Sequence, residues 1–342
     1  MRKILVTGGT GYIGSHTVVE LQEEDYEVII IDNLYNSEAE VADRIGRITG
    51  RKPHLEVFDL CDRNELNRFF RNHRGIEAII HFAAYKSVSE SVRKPIEYYR
   101  NNLLSLVNIL EAMKQHGVPS IVFSSSCTVY GQPDKLPVDE DSPLKPALTP
   151  YGNSKQTGER ILSDTMAATV GLSAISLRYF NPIGAHPSAL IGELPRGVPE
   201  NLVPYITQTA IGLRKELLVF GDDYNTPDGS CIRDYLHVCD LAKAHTASVA
   251  RLLKKENRKS FEVFNLGTGK GVSVLEAIRS FEKVSGIKLN YRITGRREGD
   301  IEKIWADPTL ANNELGWSTS HSLDDAMKSA WEWEKNLRDC NK

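Results

Sequence analysis

The stretch Thr7-Gly8-Gly9-Thr10-Gly11-Tyr12-Ile13-Gly14 constrains this chain more than any other. An apolar run over residues 4–7 enters it and a helical pattern over 13–24 leaves it. It satisfies G-x-G-x-x-G through Gly9, Gly11 and Gly14, and G-x-x-G-x-x-G through Gly8, Gly11 and Gly14. One glycine makes the tight turn, another lets the backbone approach a pyrophosphate, and Gly14 lets helix pack on strand. The helix N-terminus then offers free N–H groups and a positive dipole end to the phosphates. A glycine-rich turn alone says little. Between a strand and a helix, with an acid downstream, it reads as a dinucleotide site.

The first half of the chain keeps the same rhythm. Runs rich in Val, Ile and Phe at 4–7, 28–31, 55–58, 78–82 and 121–125 read as strands, with helical patterns near 13–24, 63–73, 96–116 and 151–170. Little polar alternation within the runs implies strands covered on both faces. The fold class is α/β, a Rossmann-like, doubly wound parallel sheet. Turn-rich stretches cover 131–150 and 181–204. Helices near 202–212, 238–253, 274–285 and 324–336 follow, with strands at 217–220 and 261–266. We expect a dinucleotide-binding domain over 1–180 and a smaller mixed α/β substrate-binding domain over 181–342. The boundary is soft, because the buried-looking strand at 261–266 implies a chain that crosses back near 235–266.

Composition removes several classes. Forty-two Lys+Arg against 45 Asp+Glu leave no basic excess, so no nucleic-acid partner is expected. No apolar run approaches the roughly 18–20 residues of a membrane span. Nine histidines form no HxxxH or HExxH, so no metal is expected. Five widely spaced cysteines without CxxC suit a reducing compartment. The apolar run directly after Met1-Arg2-Lys3 leaves no room for a signal h-region, so the expected location is cytoplasmic.

Asp32 lies 18 residues after Gly14, at the end of the second strand. A carboxylate there accepts from adenosine ribose hydroxyls and repels a 2′-phosphate, which favours NAD over NADP. Asp59, ending the third strand, stands where it could reach the adenine. Tyr151 and Lys155 form a YxxxK on a helical pattern, placing the ammonium beside the phenol. A phenol of pKa near 10 becomes a useful base only when its anion is stabilised, and Lys⁺ and an oxidised nicotinamide both act that way. Ser124-Ser125-Ser126 follows the fifth strand, at the carboxyl edge where ligands sit in such sheets.

Together these residues resemble the extended short-chain dehydrogenase/reductase superfamily. Within it the chain is similar to the UDP-glucose 4-epimerase family along nearly its full length. The match continues through His81-Phe82-Ala83-Ala84, Lys86-Ser87-Val88, Asn101-Asn102, Ser126-Cys127-Thr128-Val129-Tyr130-Gly131 and Arg178-Tyr179-Phe180-Asn181-Pro182. It resumes at Arg233-Asp234-Tyr235, Asn265-Leu266-Gly267-Thr268-Gly269 and Arg297-Glu298-Gly299-Asp300. The resemblance implies that Tyr151 takes the C4 hydroxyl proton while NAD takes the C4 hydride, and that the 4-ketose turns over before the hydride returns. It implies that Ser126, with Thr128 nearby, orients the hydroxyl, and that Lys155 holds the nicotinamide ribose. Cofactor-contacting positions fall at Gly8, Gly11, Tyr12, Ile13, Gly14, Asp32, Asn33, Asn36, Ser37, Asp59, Leu60, Phe82, Ala83, Ala84, Lys86, Asn101, Ser126, Tyr151, Lys155 and Tyr179. The UDP-hexose falls to Asn181, Asn201, Phe220, Arg233, Arg297, Asp300 and Ile304. A homodimer built on the helices near 96–116 and 151–170 is also implied.

Two positions depart from the family. Cys127 replaces the usual alanine after the serine, which leaves inert packing and thiol sensitivity both open. Ile304 stands at the gate of the sugar pocket, neither the tyrosine that excludes N-acetyl sugars nor the cysteine that admits them. Partial acceptance of UDP-N-acetylglucosamine is therefore expected. The nearest rivals are a 4,6-dehydratase or a decarboxylase of the same superfamily, but their acidic residues are replaced by Cys127 and Thr128. A non-enzymatic NAD-binding regulator would have no need to keep Ser126, Tyr151 and Lys155 together.

Overall fold

The computed structural model describes residues 1–297 and 300–339. Glu298 and Gly299 of the Arg297–Asp300 motif, and Cys340, lie outside the described residues. Six strands come from the first half: β1 (Lys3–Thr7), β2 (Glu27–Asp32), β3 (His54–Val57), β4 (Ile76–His81), β5 (Ser120–Ser124) and β6 (Ser173–Tyr179). With the later strand Phe261–Leu266 they make one seven-stranded sheet, ordered (261–266)-β6-β5-β4-β1-β2-β3. All six pairings are parallel.

Parallel neighbours need crossover helices, and the chain supplies them on both faces. Helices α1 (Tyr12–Glu23) and α2 (Glu40–Thr49) lie on one face. There Val18, Val19, Leu21, Val41 and Ile45 pack on Ile4, Val6, Ile30 and Ile80. Helices α3 (Arg63–Asn72), α4 (Val88–Arg93), α5 (Pro95–His116) and α6 (Pro150–Ala168) follow in the chain. Leu66, Phe69, Ile109, Met113 and Leu162, from α3, α5 and α6, cover Leu5, Ile31, Ile79 and Ile121 on the other face. Ile4, Leu5 and Val6 of β1 have no accessible surface. Each such side chain contributes about 1.5–3 kcal/mol by leaving water.

The sequence pattern did not assign β6 or α2. Strand β6 reads Ser-Ala-Ile-Ser-Leu-Arg-Tyr, and its serines and arginine mask a core strand. Ser176 and Arg178 are nevertheless buried, because Glu159 of α6 takes hydrogen bonds from both. Periodicity cannot see a polar group satisfied by a partner far away in sequence.

The second half holds α7 (Leu202–Ala210), α8 (Val238–Leu253), α9 (Val274–Ser285), α10 (Thr309–Leu315) and α11 (Leu323–Asp339). Helix α8 returns to the sheet: Leu241, Ala244, Val249 and Leu252 join the cluster that holds α1. The chain then enters the sheet at 261–266, beside β6. A separate core, with Val203, Ile206, Phe281, Met327 and Ala330, binds α7, α9 and α11 together. Two short strands, Leu217–Phe220 and Tyr291–Thr294, pair in parallel beside it. Among the described residues no helix is long and apolar enough to cross a membrane.

Candidate active site

The carboxyl ends of β1, β2, β4, β5 and β6 converge on one edge, and the loops leaving them carry the expected site. At the end of β1, Gly8 adopts φ +73°, a left-handed conformation that disfavours any side chain. A Cβ at Gly8 would lie 2.8 Å from the Ala83 amide nitrogen, so the β1 and β4 loops meet backbone to backbone. A Cβ at Gly14 would collide with the Gly8 carbonyl oxygen. Gly11 is the N-cap of α1 and makes no side-chain cap, which leaves the helix end open. This cradle, empty of side chains at a helix N-terminus, fits a pyrophosphate.

Asp32 ends β2 and is held from three sides. Its Oδ2 accepts from the Thr10 amide (3.2 Å), and its Oδ1 from the Leu34 amide (3.0 Å) and Ser37 Oγ (3.1 Å). The carboxylate therefore has a fixed direction beside the glycine turn, as a ribose acceptor requires. Asn33 and Asn36 beside it are exposed. Asp59 accepts from the Cys61 amide at 2.8 Å, and the neighbouring Leu60 carbonyl takes Asn108 Nδ2 at 2.8 Å. Asn101 donates to Asn102, which in turn brackets both backbone groups of Tyr85. Tyr12 donates to the Gly184 carbonyl at 2.6 Å, Ile13 packs against the core below, and Phe82 lies 4.6 Å from the His245 ring. Ala83 and Ala84 complete the loop after β4.

The reactive side chains sit one strand further along. Ser126 caps a short 3₁₀ turn, Cys127–Tyr130, through the Thr128 amide at 3.2 Å. Thr149 caps α6 and Pro150 opens it, so Tyr151 and Lys155 lie one turn apart on its first two turns. Lys155 is 4% exposed and donates to the Ser124 carbonyl at 2.6 Å. Its ammonium stands 5.0 Å from the Phe123 ring and 5.8 Å from the Tyr151 ring. Burial brings its pKa down to about 7, against the pull of Glu159 upward. Burial pushes the Tyr151 phenol up to about 12, with a hydrogen bond from Ser126 acting the other way. Tyr179 shares a hydrogen bond with Ser124, and burial raises its pKa too.

The substrate-side residues also meet. Arg297 and Asp300 pair at 2.7 Å, Arg233 approaches Asp300 at 3.9 Å, and the Arg297 guanidinium lies 5.4 Å above the Phe220 ring. Two guanidiniums, a carboxylate and an aromatic face make a set suited to a diphosphate, ribose hydroxyls and a base. Asn181 Oδ1 and Thr128 Oγ1 are buried and, among the described residues, have no hydrogen-bond partner. Unsatisfied buried oxygens of this kind are rare, and a ligand would satisfy them. Ile304 is buried in a small cluster with Val129, Tyr130, Phe180 and Ala306, against which Cys127 packs. Burial pushes the Cys127 thiol up to about 12, which suits inert packing better than reactivity. Asn201 donates to Glu193 at 2.6 Å.

Pattern reasoning missed a supporting residue. Glu159 stands one turn beyond Lys155 and accepts from Ser125 (2.6 Å), Ser176 (2.9 Å) and Arg178 (2.7 Å). The 151, 155, 159 spacing that puts it on the reactive face was available in the sequence. A trio on the opposite edge, His54, Glu56 and His73, is joined by hydrogen bonds of 2.9 and 3.1 Å and takes no part in this site.

Residues 4–267 match the family model described as NAD dependent epimerase/dehydratase family. The chain belongs to this family. A UDP-glucose 4-epimerase from Yersinia enterocolitica is 49% identical over 332 residues, 97% of each chain. A crystallised UDP-glucose 4-epimerase from Stenotrophomonas maltophila, with bound NAD and formylated UDP-arabinopyranose, superposes at a TM-score of 0.96. That pair is 47% identical and covers 99% of this chain and 100% of the other. The Bifidobacterium longum UDP-glucose 4-epimerase, in complex with NAD+ and UDP, gives 0.94 at 45% identity, covering 98% and 99%. The parallel, doubly wound sheet expected from the sequence is thus the epimerase family's sheet, with β6 as a further strand.

Proposed function

We propose that this chain is a UDP-glucose 4-epimerase that interconverts UDP-galactose and UDP-glucose through a 4-keto sugar, using bound NAD. The observation that carries the reading is the Ser126–Tyr151–Lys155 constellation beside an open glycine cradle, in a chain matching 4-epimerases over 97% of its length. Residues 1–180 hold the cofactor, with 238–266 packed back on them, and the remainder holds the UDP sugar.

When bound, NAD supplies a reversible hydride acceptor and, oxidised, a positively charged ring. The glycine cradle, Asp32, Lys86 and Lys155 would hold it. Tyr151 moves the C4 hydroxyl proton. Its phenol starts at about 12, so working near neutral pH needs roughly 7 kcal/mol of differential stabilisation of the phenolate. The Lys155 ammonium, 5.8 Å from the centre of the Tyr151 ring, acts in that direction when charged. The Ser126 hydrogen bond already holds the phenol below where burial alone would put it. One further positive charge in the site would act the same way. Arg233 and Arg297 hold the diphosphate end, so the hexose can turn and present either face of C4 to the same edge. That freedom is what inversion at C4 demands.

By the resemblance Ile304 stands at the gate of the sugar pocket, and a side chain between cysteine and tyrosine in size supports UDP-N-acetylglucosamine as a slower second substrate. Exposed Ile96, Leu104 and Val107 on α5, with Leu148 just before α6, support a homodimer in which these helices cover one another. The absence of a membrane-crossing helix among the described residues is compatible with a cytoplasmic enzyme. The test is to incubate purified protein, without added cofactor, with UDP-galactose and with UDP-N-acetylgalactosamine. Gluco epimers are expected from both, and no product from either, even with added NAD, overturns the reading. N-acetyl turnover below one-thousandth of the UDP-galactose rate would sink the assignment to Ile304 alone.

A further inference from the structure

One shielded carboxylate stands between the two halves of the site. Glu193 Oε1 accepts from Lys86 Nζ at 2.8 Å and from Asn201 Nδ2 at 2.6 Å, and its side chain is 10% exposed. Lys86 lies on the loop after β4, among the cofactor positions. Asn201 is the N-cap of α7, among the substrate positions, and its side chain makes no cap of that helix. The backbone at Glu193 is fixed. Trp333 Nε1 donates to the Glu193 carbonyl at 2.9 Å, and a Cβ at Gly192 would collide with the Trp333 ring. An ammonium carries three N–H donors and a primary amide two, so each partner keeps donors for a ligand after serving Glu193.

The rest of this segment is tied to both sides: Arg214 donates to the Gly197 carbonyl at 3.3 Å from the substrate side, and further contacts reach the dinucleotide side. Arg196 donates to the Tyr35 and Ser37 carbonyls at 2.9 and 2.5 Å, and Glu200 accepts from Ser87 and Ser89. Glu193 differs from these contacts because one oxygen serves both ligands' residues.

We propose that Glu193 is the positioning residue that couples nucleotide-sugar binding to cofactor retention, by holding Lys86 and Asn201 on a single carboxylate oxygen. The inference rests on the epimerase reading above. A nucleoside diphosphate that orders Asn201 fixes Glu193, and through it the Lys86 ammonium over the dinucleotide. The coupling is reciprocal, so NAD tightens UDP as much as UDP tightens NAD.

The test follows release of radiolabelled NAD from the loaded protein into excess unlabelled NAD, with and without saturating UDP. UDP is expected to slow release at least about five-fold in the unaltered protein. Glu193→Ala brings that ratio to near one, and Glu193→Gln, which keeps the acceptor oxygen, restores much of it. Asn201→Ala, which keeps the Lys86–Glu193 pair, also abolishes the ratio. Glu200→Ala loosens the same segment without touching Glu193, so it speeds release equally with and without UDP. An undiminished ratio in Glu193→Ala or Asn201→Ala overturns the proposal, as does a ratio lost in Glu200→Ala. If the unaltered protein binds NAD and UDP but UDP leaves release unchanged, the coupling falls and the epimerase reading stands. If it binds neither, both fall.

Discussion

Replacing Glu159 by glutamine keeps its shape and removes its charge. Arg178 meets that carboxylate through two nitrogens, Nη2 to Oε2 at 2.7 Å and Nε to Oε1 at 3.0 Å, with side chains only 6% and 5% exposed. Removing one member of such a pair leaves the other charge buried without compensation, a loss of about 3–5 kcal/mol. The Arg178–Tyr130 hydrogen bond at 2.9 Å survives and does not neutralise the cation. A second consequence reaches the reactive face. Glu159 raises the Lys155 pKa against burial, so its neutralisation lowers that pKa further below about 7 and leaves less ammonium beside Tyr151 at neutral pH. Urea titration at pH 7.5 is expected to show the stability loss, and the kcat profile a weaker reaction at neutral pH. The double replacement Glu159→Leu with Arg178→Met is expected to recover only part of the stability and none of the activity, since the apolar pair buries no unpaired charge but leaves the buried Ser125 and Ser176 hydroxyls without their acceptor. A Glu159→Gln loss below about 1 kcal/mol would refute the claim that this ion pair is desolvated and essential to the core.

Three further outcomes follow from the geometry. Tyr151→Phe is expected to abolish turnover while NAD stays bound, measured by product formation and cofactor absorbance in parallel; retained turnover removes Tyr151 as the base. Gly14→Ala drives a Cβ into the Gly8 carbonyl, and the backbone shift of roughly 1–3 kcal/mol should appear as lost NAD retention at near-normal helix content. Stability should fall as the solution is acidified from about pH 6.5. Burial holds His16 and His81 at about 3 and His237 and His245 at about 4, so below 6.5 the unfolded chain takes protons that the folded chain refuses. Each contributes a loss of about 1.4 kcal/mol at pH 5.5, and urea midpoints unchanged between pH 7.5 and 5.5 would refute it.

Much of the site is legible in the amino-acid sequence because its chemistry is local. The glycine turn, Asp32 at a strand end and the Tyr151–Lys155 pair each lie within one turn or one strand edge. The substrate group is different: Phe220, Arg233, Arg297 and Asp300 could be named only from their ordered resemblance to a family. That they share one corner is a matter of how three loops fold. Glu193 carried no signal at all. Its partners are 107 and 8 residues away, and nothing about the local sequence predicts a carboxylate serving both.

The sequence alone determined that this chain would build a parallel sheet and present a phosphate cradle at its edge. Hydrophobic period and glycine stereochemistry act over a few residues, and they need no knowledge of the whole. Only the tertiary structure decided that β6 belongs in the core, that the strand at 261–266 closes the sheet beside it, and which polar groups stand unsatisfied. Those outcomes depend on long-range pairing. A buried arginine is tolerable only once Glu159 has arrived from another element, and the Thr128 and Asn181 oxygens are orphans only after packing has taken water away.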